Sequence, residues 1–194
     1  MITTQEMMAI LTGKESVDAF IEDMVDSSPD FAEDHRRFQE AIDYFRANLS
    51  VGAKPSVDEL TEAIHRQTIS NWLFSNYLGF QANLDHFTNP VARTFIEVDP
   101  ERFLHENVAK ALPEYTSAQK IVDNFFYQLS PEHKEVYEGV IIFIAHLETV
   151  VPKMAHYNGF LLGNELLPRI MPGYQPDAQL TVRYCVMIED YFQR

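Results

Sequence analysis

Four times along the chain a residue able to cap a helix stands directly before a proline. The pairs are Ser28-Pro29 in SSPDF, Asn89-Pro90 in TNPVA, Asp99-Pro100 in VDPER and Ser130-Pro131 in LSPEH. A helix begins with N–H groups that have no partner inside the helix. A Ser, Asn or Asp oxygen at the N-cap accepts one of them, and proline at the next position has no N–H to leave unsatisfied. Two more starts, TTQE at 3–6 and SVDE at 56–59, carry the Ser/Thr-to-Glu spacing of a capping box. Hairpin signals are absent by comparison. The single Asn-Gly, in YNGF at 157–160, lacks the flanking alternation that a two-stranded turn requires.

This punctuation predicts an all-α fold, a multi-helix bundle with a long central helix near 57–87 and an N-terminal acidic helical hairpin. Helical periodicity places helices near 4–11, 15–26, 30–48, 57–87, 100–111, 114–128, 132–150, 153–170 and 177–192. Residues 91–97 are short and ambiguous, and Pro152 either kinks one long helix or separates two. The segment LTVRYCVMI alternates like a strand, but Leu180, Tyr184, Met187, Ile188 and Tyr191 share a helical face, which favours helix. The stretch NLSVGAKPS at 48–56 reads as a linker. It divides the chain into an acidic hairpin over 1–50 and a main helical domain over 51–194, the two forming one compact unit.

The long helix carries the most unusual residues. At 100° per residue, one stripe collects Glu62, His65, Ile69, Trp72, Asn76, Phe80, Asn83 and Phe87, while Leu60, Phe74 and Leu78 lie opposite. A helix apolar on more than one side has neighbours around it, so the polar members of the stripe are expected to be partly buried. A buried amide or imidazole must find a hydrogen bond or cost about 1–3 kcal/mol. Two readings follow. In one, Trp72, Phe80 and Phe87 wall a pocket in which His65, Asn76, Asn83 and the neighbouring His86 fix a small polar ligand. In the other, the same groups form a network that sets helix register.

A metal site is the sharper form of the first reading. Glu62 and His65 make an E-x-x-H pair on one helix face, but two-metal carboxylate bundles need two such pairs and two further Glu. No second E-x-x-H is present. No metal or other cofactor is therefore expected, and a surface pair is the alternative reading of Glu62 and His65.

Charge is unevenly distributed. The net charge is −14, residues 1–50 hold 11 acids against 4 bases, and residues 151–194 hold 4 of each. Such a field disfavours direct contact with nucleic-acid phosphates or anionic membranes. The longest strongly apolar run, VIIFIA at 140–145, falls well short of the roughly 20 residues a bilayer span needs. The opening MITTQEMMAILTG has neither a basic n-region nor a long apolar h-region, so no signal peptide is expected. The lone Cys185 excludes an internal disulfide framework and fits a cytoplasmic setting.

No G-x-S-x-G elbow, phosphate-binding glycine loop or nucleophilic cysteine setting occurs. On the acidic hairpin, Val17, Phe20, Ile21, Met24 and Val25 form an apolar face opposed by Asp18, Glu22 and Asp26. The expected function is that of a non-enzymatic interaction or regulatory protein. Asp18, Glu22 and Asp26 would dock a basic protein partner, or the chain would associate with itself. The alternative is a small-ligand- or metal-binding helical domain with its pocket along 62–87.

Overall fold

The computed structural model describes residues 17–49, 55–99 and 112–192. The helices expected over 4–11 and 100–111, the TTQE start, the start at Pro100 and the middle of the 48–56 linker lie outside the described residues.

The chain is an all-α bundle, with no strand among the described residues. Its helices are α1 (Val17–Ser27), α2 (Pro29–Asn48), α3 (Val57–Thr88), α4 (Pro90–Val98), α5 (Pro113–Gln128), α6 (Pro131–Val136), α7 (Glu138–Ile170) and α8 (Ala178–Phe192). The caps do what their sequence implies. The Ser28 hydroxyl accepts the Phe31 N–H, Asn89 Oδ1 accepts those of Val91 and Ala92, and the Ser130 hydroxyl accepts that of His133. At the start of α3 the capping box is reciprocal. Glu59 N–H donates to the Ser56 hydroxyl at 3.2 Å, and Ser56 N–H donates to the Glu59 carboxylate at 2.6 Å.

Three points left open by the sequence are resolved. Residues 90–98 are helical, 178–192 are helix throughout, and α7 runs through Pro152 without a break. The helix expected over 132–150 starts instead as the short α6, which hands over to α7 at Tyr137.

The two longest helices, α3 and α7, cross at the centre while running in the same direction, with Asn76 beside Asn158 and Asn83 beside Asn164, and the close approach is made possible by glycine. A Cβ added to Gly79 would lie 1.9 Å from the His156 carbonyl oxygen, and one added to Gly159 would lie 2.0 Å from that of Asn76. The other helices wrap this pair. From the hairpin, Phe20 packs on Trp72 at 4.9 Å between ring centroids, Phe38 stacks on Phe143 at 4.7 Å, and Phe45 meets Phe125 edge-on at 5.5 Å. On the far side Tyr184 of α8 stacks on Phe160 at 3.8 Å. These rings belong to one continuous core, so the hairpin is packed on the long helices rather than appended to them.

By length and composition, the stretch Pro131–Ile170 is apolar enough to cross a membrane, with mean hydropathy 1.2 in its most apolar window, half of which is buried. The six-residue run at 140–145 understates this apolarity because buried residues continue along α7 as far as Leu167.

Candidate functional site

Asp18, Glu22 and Asp26 recur every fourth residue on α1, so they form a line with steps of about 6 Å. Val17, Phe20 and Met24 hold the opposite face of the helix in the core. The line of acids borders a groove of about 660 Å³ bounded by α1, α2, α3 and α7. Its floor is apolar, built from Ile21 and Val25 of α1, Phe38 and Ile42 of α2, Ile64 of α3, and Phe143 and Leu147 of α7. His35, Gln39 and Arg46 from α2 and Thr61, His65 and Thr68 from α3 complete the rim.

The rim is unevenly neutralised. On α2, Arg36 binds Glu33 and Glu40, Arg37 binds Glu33 at 2.9 Å, and Arg46 reaches Asp58 at 3.2 Å and Asp43 at 3.7 Å. Arg36 and Arg37 hold the Glu33 carboxyl down at about 2. Asp18 of α1 has His65 Nδ1 of α3 at 3.5 Å. Among the described residues, no Lys or Arg forms an ion pair with Glu22 or Asp26. Glu22 and Asp26 therefore leave negative charge uncompensated along this bank of the groove, as Asp23 and Asp30 do elsewhere on the hairpin.

His35 stands on the groove rim, among the charged residues of EDHRR. Its charged neighbours suggest a solvated side chain, yet its ring packs on Phe143 at 5.3 Å and on Phe38 at 6.4 Å, and Gln39 hydrogen-bonds to it at 3.2 Å. Burial lowers its pKa and favours the neutral ring. No sequence signal marks that contact, because Phe143 is supplied by a distant helix.

The stripe residues of α3 separate into three settings. His65 lines the groove, whereas Glu62 is exposed and lies 3.9 Å from Arg66, so this E-x-x-H pair turns to different partners. Trp72 and Asn76 lie in the core. Asn76 Nδ2 donates to the Trp72 carbonyl at 3.0 Å, and its Oδ1 accepts from Asn158 at 2.9 Å. Asn83 is the hub of a buried network. Its Nδ2 donates to the Phe160 carbonyl at 2.6 Å and to Asn164 Oδ1 at 2.9 Å, and its Oδ1 accepts the Tyr174 hydroxyl at 2.5 Å. Asn164 extends the network to the Thr181 hydroxyl at 2.9 Å, which ties α3, α7 and α8 together.

His86, at the end of α3, lies in the third setting. Its Nε2 is 3.3 Å from Glu97 Oε1 and 3.8 Å from Asp177 Oδ2. Arg93 bridges the same carboxylates, at 2.8 Å to Glu97 and 3.9 Å to Asp177. Spacing along the chain gave no hint of this trio, since its members come from α3, α4 and the residue before α8.

The structure thus gathers Asp18, Glu22, Asp26 and His65 at one groove, and leaves Trp72, Asn76, Asn83 and His86 outside it. Compared with protein-family models, curated proteins and solved structures, the chain matches none.

Proposed function

We propose that the protein is a non-enzymatic helical interaction protein whose groove seats a basic amphipathic segment of a partner protein. The observation that carries this reading is the row Asp18, Glu22 and Asp26 along an apolar floor, with Glu22 and Asp26 lacking, among the described residues, the arginine partners that Glu33, Glu40 and Asp43 of α2 have. A helix laid in a groove anchors apolar side chains at i, i+3 and i+4 spacing. Lys or Arg placed every fourth residue beside those anchors would match the acids in both sign and spacing. Complementarity of this kind mainly sets association rate and specificity, and it weakens with salt. Self-association through the same face would bring two acidic rows together, so a basic partner is the better match.

The test is a titration with a synthetic amphipathic helix bearing Lys at i, i+4 and i+8, with a scrambled peptide of equal charge as control. Trp72 is the chain's single Trp and packs on Phe20 of α1, so its fluorescence follows the hairpin. Binding should be saturable, weaken as salt rises, and disappear when Asp18, Glu22 and Asp26 are all changed to Lys. Equal binding of the scrambled peptide, or undiminished binding by the triple variant at low salt, would refute the reading.

The groove's volume favours one further reading. It falls within the roughly 300–1,000 Å³ of small-molecule pockets, and an apolar amine could sit there with His65 as a polar contact. Competition between such amines and the peptide would distinguish a shared site from an exclusively peptide-binding one.

A further inference from the structure

The trio at the end of α3 is independent of the groove and has a different chemistry. His86 Nε2, Glu97 and Asp177 offer one imidazole nitrogen and two carboxylate oxygens, all within 4.8 Å of one another. Ligands held about 2.0–2.2 Å from a zinc-sized ion lie about 3–3.5 Å apart. The 3.3 Å and 3.8 Å separations from His86 therefore need only small side-chain adjustments. Asp177 is already oriented. Its Oδ1 caps α8 by accepting the N–H groups of Gln179 and Leu180, which leaves Oδ2 directed at His86. His86 is buried, in the last turn of α3, and Glu97 is in the last turn of α4. The carbonyl ends of helices favour a nearby cation.

We propose that His86, Glu97 and Asp177 bind a divalent transition-metal ion of the zinc type, and that Arg93 holds the carboxylates until such an ion displaces it. The competing cations set the balance. Arg93 is more than half exposed, and its contact with Glu97 is an i, i+4 surface bridge. Bridges of that kind contribute little, so surrendering one opposes coordination weakly. The second nearby guanidinium, Arg183, is directed to the Glu97 and Val98 backbone carbonyls and leaves the carboxylates accessible. One imidazole and two carboxylates suit zinc better than magnesium, which prefers oxygen donors and retains water.

The experiment is calorimetric titration of the metal-stripped full chain with Zn²⁺, using Mg²⁺ as the counter-probe. One zinc per chain should bind, with no comparable magnesium signal. His86→Gln and Asp177→Asn should each weaken zinc binding by more than about tenfold. Asn caps a helix as well as Asp does, so Asp177→Asn removes the ligand charge while keeping α8 capped, and circular dichroism verifies both folds. Arg93→Gln should tighten binding at least about twofold, because it removes the displaced cation. No zinc uptake, or equal uptake by His86→Gln and Asp177→Asn, would overturn the site. Unchanged or weaker binding by Arg93→Gln would overturn the role given to Arg93.

Discussion

Two buried polar side chains with opposite hydrogen-bonding status illustrate the residue scale. Asn83 is 2 % exposed and uses both ends of its amide, to Phe160, Asn164 and Tyr174. Asn83→Ala leaves the Tyr174 hydroxyl without that acceptor and opens space beside Gly163, so it should destabilise the fold by about 2–3 kcal/mol. Tyr137 is equally buried, but its hydroxyl has no hydrogen-bond partner among the described residues. Burial, and then the charge of Asp123, push its pKa above the ordinary tyrosine range. Tyr137→Phe deletes a group that makes no bond and keeps the ring contacts with Phe125 and Phe126. Its stability should be unchanged or higher by up to about 1 kcal/mol. Urea unfolding of the two variants would separate these signs, and a loss of more than 1 kcal/mol in Tyr137→Phe would mean the hydroxyl has a partner after all. The sequence marked Asn83 as a polar residue in an apolar setting. It could not name Tyr174 or Asn164, because those partners arrive through the crossing of distant helices.

At the scale of elements, the capping pattern explains why the helix starts were legible. A cap is a contact within four residues, so SSPDF, SVDE, TNPVA and LSPEH carry their own answers. The α3–α7 crossing has no such local signal. Both helices contain Tyr-x-Gly-Phe, at 77–80 and 157–160, and the structure places the two segments reciprocally, Gly79 on His156 and Gly159 on Asn76. Nothing in either segment alone distinguishes a packing glycine from a turn glycine. Gly79→Ala and Gly159→Ala would each drive a methyl group into a backbone carbonyl that no rotamer change can move. Each should cost more than about 3 kcal/mol or prevent folding, since the two axes must separate. Gly139 is the control. Its added Cβ would lie 3.0 Å from the Arg37 carbonyl, near the edge of the bundle, and Gly139→Ala should cost clearly less. Thermal unfolding of the three alanine variants checks the order, and a Gly79→Ala protein as stable as Gly139→Ala would contradict the tight crossing.

For the whole molecule, composition revealed the class and the acidity, while packing decided where the charge remains unbalanced. Asp18, Glu22 and Asp26 were legible as one helical face. The groove they border was not, because its floor draws on Phe38, Ile64 and Phe143 from three other helices. The same packing sets how the fold responds to pH. His35, against Phe143, has its pKa lowered from 6.5 by burial, so the unfolded chain takes up a proton at that site before the folded chain does. Stability from this group is complete above the unfolded value and is lost as pH falls from 6.5 towards the lower folded value. Glu33 acts in a separate window. Arg36 and Arg37 hold its carboxyl at about 2 against an ordinary 4.5, so its contribution is present above 4.5 and is lost between 4.5 and 2. Unfolding midpoints measured from pH 8 to pH 3 should therefore decline in two stages. His35→Gln should flatten the upper stage and leave the lower one, and Glu33→Gln should do the reverse. If His35→Gln retains the full loss just below pH 6.5, the half-buried ring on the groove rim is not the group responsible for that stage.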